Sequence, residues 1–393
     1  MVAEFKRMET MKNKIDISRR KVLGGMTAVA AITGFPMINL GYFSANAAES
    51  QTYSKRAIDL VKSSVVIDML GMLKLDDSDG FFTKPLSAKD EADFRASGIT
   101  CFHDSDGITG TNAREDTFIN LATQQRFAGR NSHLFTLVDK ASDITRAKRD
   151  GKIAIVMGLQ NSEHFKQPED VKLFYDLGQR VSQLTYNTQN FIGSGSTERE
   201  DGGVSDFGAE IIGAMNNAGM LVDISHCAKR TSMDGIALSK MPIAITHSNC
   251  SALNNHPRNK SDEVIKACAA MGGVMGITGV RMFVSSKEPT TIVDVVDHID
   301  HVVKIAGIEH VGIGTDSDLN GYDNMSPAVK AQMRAAYKAS YAIRDKADTD
   351  GFNGPMKMYS LTEELIRRNY SDANISAILG GNFLRLLTTV WGS

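Results

Sequence analysis

The sequence predicts an α/β protein built on a closed (β/α)8 barrel, a TIM barrel of the metal-dependent hydrolase type. Three observations predict it. Eight short β-branched runs alternate with longer amphipathic stretches after Gln51, as repeated βα units require. The length of 393 residues suits one barrel of this kind. No glycine-rich phosphate loop follows the first run, so the chief signature of a doubly wound open sheet is missing.

The predicted strands are Ser64–Asp68, Gly98–His103, Ile153–Gln160, Val181–Thr185, Leu221–Ser225, Ile243–His247, Gly273–Ile277 and Val311–Asp316. Helical patterns lie between them. In 206–218, Phe207, Ile211, Ile212 and Met215 fall on one face, and 293–306 carries its apolar residues at helical spacing. The stretch 320–355 is polar and partly helical, and reads as an excursion after the eighth strand. Residues 361–387 read as a helix pair closing the barrel.

The first 47 residues read as an address, and 48–393 as one barrel domain. Ser18-Arg19-Arg20-Lys21-Val22-Leu23 follows a basic segment and precedes a modest apolar run that ends in Ala45-Asn46-Ala47. Paired arginines, weak hydropathy and a small-x-small site resemble a twin-arginine signal peptide. The expected location is therefore the periplasm, reached through the twin-arginine export machinery. The leader carries seven basic and three acidic residues, or +4, so a net charge of −2 leaves the remainder at −6. A mildly acidic body gives no footprint for nucleic acid. Cys101, Cys227, Cys250 and Cys268 show no metal-knuckle spacing and read as buried apolar residues, with one disulfide left open.

In such a barrel the active site lies at the C-terminal strand ends. Asp68, His103 with Asp104, Gln160, Tyr186 with Asn187, His226, His247 and Asp316 stand there, with Arg281 further along. His226 and His247 come from adjacent strands and are candidate ligands of zinc or another divalent metal. Asp316 is the candidate general base, and Tyr186 a second acid–base candidate. Gln160 and Asn187 are candidate substrate contacts. His133, His298, His301 and His310 read as surface or packing residues. The loop 187–203, with Glu198, Glu200 and Asp201, reads as a solvated loop or a lid.

Several segments carry a family resemblance: 203–226 ending in Val222-Asp-Ile-Ser-His226, Thr246-His-Ser248, His256-Pro-Arg-Asn259, Asp297-His-Ile-Asp-His-Val302, His310-Val-Gly-Ile-Gly-Thr-Asp316 and Ile378-Leu-Gly-Gly-Asn-Phe-Leu-Arg385. They fall in order over about residues 55–390 and resemble the membrane (renal) dipeptidase family. The resemblance implies two zinc ions bridged by a glutamate, and hydrolysis of dipeptides. It implies that His226 and His247 are ligands, that Asp316 ligates and accepts a proton, and that Arg258 holds the substrate carboxylate.

The chain departs from that pattern. Leu70 and Met72 stand where the family has a His and an Asp, Gln160 replaces the bridging glutamate, and Tyr186 replaces a histidine. These changes remove donor atoms that a divalent ion needs. The expectation is one ion or none. A single ion would use His226, His247 and a third group such as Gln160 or Asp316; substitute ligands would come from His103, Asp104, Glu163 or His164. The expected function is an exported hydrolase of dipeptides or related small amides. The alternatives are a metal-independent tailoring enzyme, a lyase or isomerase, and a catalytically silent binding protein. A small peptide or amide is the expected partner, and a homodimer is kept among the expectations.

Overall fold

A computed structural model describes residues 52–392; the predicted leader, 1–47, lies outside the described residues. The strands are β1 (Ile67–Asp68), β2 (Cys101–Asp106), β3 (Phe135–Leu137), β4 (Ile153–Leu159), β5 (Gln179–Gln183), β6 (Leu221–Asp223), β7 (Ala244–Ser248), β8 (Val274–Ile277) and β9 (Val311–Ile313). All pair in parallel. Strands β1, β2 and β4 to β9 form a ring that closes through Asp68 opposite Ile313. These are the eight predicted strands, and the barrel is closed.

Strand β3 was not predicted. It pairs with β4 at Ile153–Ile155, while β5 takes the same edge further along, at Met157–Leu159. A three-residue strand that fills a gap at the barrel's base has no periodicity to read.

The helix Asp206–Ala218 forms as its sequence dictates. The Ser205 hydroxyl caps it by accepting from Gly208 N–H, and Gly219, at φ 77°, ends it. Ile211, Ile212 and Met215 are its buried face, each contributing about 1.5–3 kcal/mol of apolar burial. The first interior layer, including Ile67, Cys101, Val156, Leu221 and Val274, packs on Phe383, Leu386 and Val390 of the C-terminal helix Asn382–Trp391. The closing helices thus cover the strand starts and leave the opposite mouth for polar residues.

Two glycines fix that mouth. A Cβ on Gly314 would lie 1.9 Å from the Thr246 carbonyl oxygen, and one on Gly276 would lie 2.0 Å from it. Their bare backbones let β7 approach closely, one residue before His247. All four cysteines are buried and unbridged, in line with the apolar reading. The excursion after β9 is present and contains the helix Pro327–Ala336, capped by Ser326. No helix among the described residues is long and apolar enough to cross a membrane.

Candidate active site

His226 follows β6 and His247 lies in β7; both are buried. Their Nε2 atoms stand 2.9 Å apart. The partners of the Nδ1 atoms decide what those Nε2 atoms carry. The Thr246 hydroxyl donates to Asp223 Oδ2 at 2.6 Å, so its oxygen accepts from His247 Nδ1–H at 2.8 Å. Asn187 Oδ1 accepts from His226 Nδ1–H at 2.7 Å. Each neutral ring has one N–H, and with the Asn187 oxygen toward His226 both Nε2 lone pairs face each other. Burial, followed by the Arg258 guanidinium, holds both imidazoles well below the usual histidine range, so both rings are neutral. Two buried nitrogens at this distance need a proton or a cation between them.

Asp223 anchors this arrangement. Its carboxylate also accepts from Ser225 N–H at 2.9 Å, Ser225 Oγ–H at 2.5 Å and Thr246 N–H at 3.1 Å. Arg258 holds the same strand ends. It is fully buried, donates from Nη1 to the Ser225 carbonyl and from Nη2 to the His247 carbonyl, and leaves Nε without a partner.

Asp316 lies three residues past β9 at φ 57°, a left-handed conformation that Asp tolerates better than most residues. Burial pushes its carboxyl up to about 7, against the opposing pull of Arg258. Tyr322 donates to Asp316 Oδ1 at 3.4 Å. The Tyr186 ring stacks on His226 with centroids 4.3 Å apart, and its hydroxyl meets that of Tyr337 at 2.7 Å. Burial raises the Tyr186 phenol well above its usual range, so it keeps its proton.

A pocket joins His226, Asp316 and Tyr186 with Phe283, Met282 and Val280, and is roofed by Tyr322, Met333, Tyr337 and Tyr341. The roof comes from the excursion after β9. Tyr337 and Tyr341 stack in parallel at 4.4 Å, and His256 Nε2–H donates to the Tyr341 carbonyl at 3.0 Å. Sequence reading missed the roof because it treated 320–355 as a polar excursion. Three of the chain's nine tyrosines fall within 322–341, and that density was the available signal.

The other candidate residues are placed differently. Asn187 meets His226 and does not line the pocket. The Gln160 amide donates to the Ser105 carbonyl at 2.8 Å. His103 donates from Nδ1 to the Met69 carbonyl at 2.6 Å, leaving Nε2 buried without a partner. His164 packs among Phe165 and Phe174 and bonds Gln179, and Glu163 accepts from Gly110 N–H; neither serves as a substitute ligand. Arg281 is buried in ion pairs with Glu288 and Asp350. Glu198 lies beside Lys338 of the roof segment. His298 is buried in packing, where it bonds Cys250 and Val284.

The binuclear zinc site implied by the resemblance does not fit these residues. Leu70 and Met72 are buried apolar groups, and Asp68 is engaged by Thr315 N–H and Oγ–H at 2.8 and 2.6 Å. Among the described residues no group of three or more His, Cys, Asp or Glu side chains is placed to hold a metal. The described residues bring two histidine nitrogens together, His226 Nε2 and His247 Nε2, with no third His, Cys, Asp or Glu ligand beside them.

Asp104 carries a separate consequence. Its carboxyl accepts from Leu73 N–H at 2.9 Å, and burial, then the Asp106 carboxylate, pushes it up to about 8. The folded chain therefore holds a proton there that the unfolded chain loses at lower pH. The resulting stability is fully present below the ordinary value of 3.8 and is lost as pH rises through about 8. Asp104→Asn keeps the acceptor without the charge. Thermal melts should show the variant gaining on wild type between pH 5 and 8.5, by on the order of a few kcal/mol. Parallel curves would remove this assignment.

The model of the membrane dipeptidase family, peptidase family M19, matches residues 81–329. Dipeptidase verJ of Clonostachys rogersoniana is 32% identical over 264 residues, covering 66% of this chain and 61% of its own length. The uncharacterized dipeptidase C965.12 of Schizosaccharomyces pombe is 34% identical over 218 residues, covering 53% of this chain and 52% of its own. The chain thus spans between half and two thirds of these curated relatives. Among solved structures, an amidohydrolase from Pseudomonas aeruginosa is 32% identical with a TM-score of 0.74, covering 86% of this chain and 99% of its own. The probable dipeptidase PvdM from the same organism, 20% identical at a TM-score of 0.71 over 86% of this chain and 98% of its own, shares the fold. With its barrel, its strand-end histidines and a family match across more than half its length, this chain belongs to the membrane dipeptidase family, peptidase family M19.

Proposed function

We propose that the protein hydrolyses a dipeptide or related small amide with one divalent ion, zinc or a similar metal, held by His226 and His247. The observation that carries this reading is the pair of Nε2 lone pairs facing each other at 2.9 Å. When bound, an ion of this kind acts as a Lewis acid toward a carbonyl oxygen. The chain supplies the rest. Asp316, poised near neutrality, takes a proton from the attacking water at its carboxylate and returns it to the leaving amine. Tyr186 fixes the His226 ring from its face and keeps a phenolic proton. Arg258 fixes the strand-end carbonyls, and its buried charge, bonded to main-chain oxygens rather than to a carboxylate, favours a substrate carboxylate at the pocket. The tyrosine roof limits water around the reacting groups.

A chelator should abolish dipeptide hydrolysis by the purified full chain, and zinc should restore it. Hydrolysis that persists in chelator would instead favour the metal-independent reading, in which Asp316 and Tyr186 alone move protons. Export to the periplasm is proposed on Arg19-Arg20 and Ala45-Asn46-Ala47; recovery of the protein in the cytoplasmic fraction alone would overturn it.

A further inference from the structure

We propose that residues 324–346 form a hinged lid that must swing outward before substrate can reach Asp316, and that Tyr337 and Lys338 latch it shut. The inference rests on the tyrosine-roofed pocket being where the substrate of the proposed hydrolase sits. It is tested by access to that pocket and not by turnover, so the two readings fail separately.

Volume makes the movement necessary. The cavity under the roof measures about 20 Å³, room for about one water molecule. Sites that take small organic molecules measure about 300 Å³ or more. His226 and Asp316 line this cavity and are buried. The wall opposite the roof is pinned: the Asn254 amide donates to the Met282 and Phe283 carbonyls at 2.9 and 3.0 Å, and the Asn259 amide to the Phe283 carbonyl at 2.8 Å. The roof is the side that can yield.

Its construction suits a hinge. The neck is closed by reciprocal bonds. Asp348 accepts from Tyr322 N–H and Asp323 N–H, both at 2.9 Å, and Asp323 accepts from Ala347 N–H at 2.9 Å. Arg281 N–H fastens the neck to the barrel through the Ala347 carbonyl at 2.8 Å. Within the lid, Arg334 pairs with Asp345 at 2.7 Å, and Lys330 reaches back to the Asp323 carbonyl at 2.7 Å, so the segment holds its own shape. Its helix Pro327–Ala336 buries no residue. Val280, Met282, Phe283, Tyr341 and Ala347 form a small apolar cluster apart from the barrel cores, which is the seat on which the lid closes.

The far end of the lid is held by polar catches. The Tyr337 hydroxyl meets that of Tyr186 at 2.7 Å. Lys338 donates to the Thr197 carbonyl at 2.9 Å and lies 3.7 Å from Glu198. His256 donates from Nε2 to the Tyr341 carbonyl and accepts at Nδ1 from Arg258 N–H at 3.1 Å. These bonds are few, and each is replaceable by water when the lid lifts, as a lid that opens in every cycle requires. The loop 187–203, which supplies Thr197 and Glu198, is thus the fixed keeper of the latch.

Met282→Cys places a thiol against the cavity in a chain whose four native cysteines are all buried. In the folded full chain, N-ethylmaleimide should label position 282 more slowly than an exposed thiol, while the native four stay silent. Lys338→Ala or Tyr337→Phe, added to Met282→Cys, should speed that labelling about 2- to 10-fold, the open population gained when one hydrogen bond of the closed state is lost. Labelling that occurs only together with the native cysteines, or at a rate neither latch variant changes, would overturn the proposal. Hydrogen–deuterium exchange of the wild-type chain gives a second measurement that needs no substitution. Amides of 327–336 should exchange together and faster than those of the ring strands, while the neck amides of Tyr322, Asp323 and Ala347 stay protected. Equal protection of that helix and the strands would likewise overturn the lid.

Discussion

Replacing His247 with alanine is expected to lower dipeptide hydrolysis by roughly 10²–10³-fold or more, the loss that follows removal of a central electrostatic stabiliser. His247 supplies one of the two lone pairs and lies at the floor of the site, fully buried between Thr246 and His226. Its loss leaves His226 as a lone ligand, which is too few for a catalytic ion. His226→Ala should cost the same, and the double variant little more, because the two rings act as one unit. Circular dichroism should show the barrel intact, since the neighbouring Asp223 network holds β6 to β7 without either imidazole. Additive losses in the double variant would mean that the histidines work separately.

Asp316→Asn is expected to lower kcat/KM by about 10²–10⁴-fold while leaving ion binding in place. Asparagine accepts the left-handed φ of 57° at this position, so the backbone is undisturbed. The sign of the pH dependence follows from burial, which raises the carboxyl to about 7. Below that value Asp316 is neutral and a poor base, so wild-type kcat/KM should rise with pH through about 7, and the variant's profile should lose that limb. Stability should run the other way. A raised carboxyl contributes stability that is present below 3.8 and lost as pH rises through about 7, so the uncharged variant should melt no lower than wild type above neutrality. A variant that loses activity and stability together would make Asp316 a structural residue.

Much of this was legible in the chain. Each of the eight ring strands overlaps a predicted run, because strands buried on both faces read as short apolar stretches. The strand-end rule singled out His226, His247 and Asp316; the structure pairs the two histidines and places His226 and Asp316 in one pocket. What escaped depended on distant parts of the chain meeting. Tyr322, Tyr337 and Tyr341 come from the excursion after β9 and cover a site built by β6 and β7. Nothing local marks such tyrosines as a roof. Asn187 was expected to meet substrate, yet it meets His226, 39 residues further on. Arg258 was expected to reach a ligand, and the structure adds its hold on Ser225 and His247 carbonyls. The lost ligands at 70, 72, 160 and 186 were also plain from the sequence. The consequence of those losses needed the geometry, because only the structure shows that the two remaining histidines converge at their Nε2 atoms.

The account turns on that pair, and metal content tests it most directly. Atomic absorption on the purified full chain loaded with zinc and freed of excess should find one ion per chain, absent from both His226→Ala and His247→Ala. Two ions per chain, no bound ion in wild type, or an ion retained in both variants would contradict it.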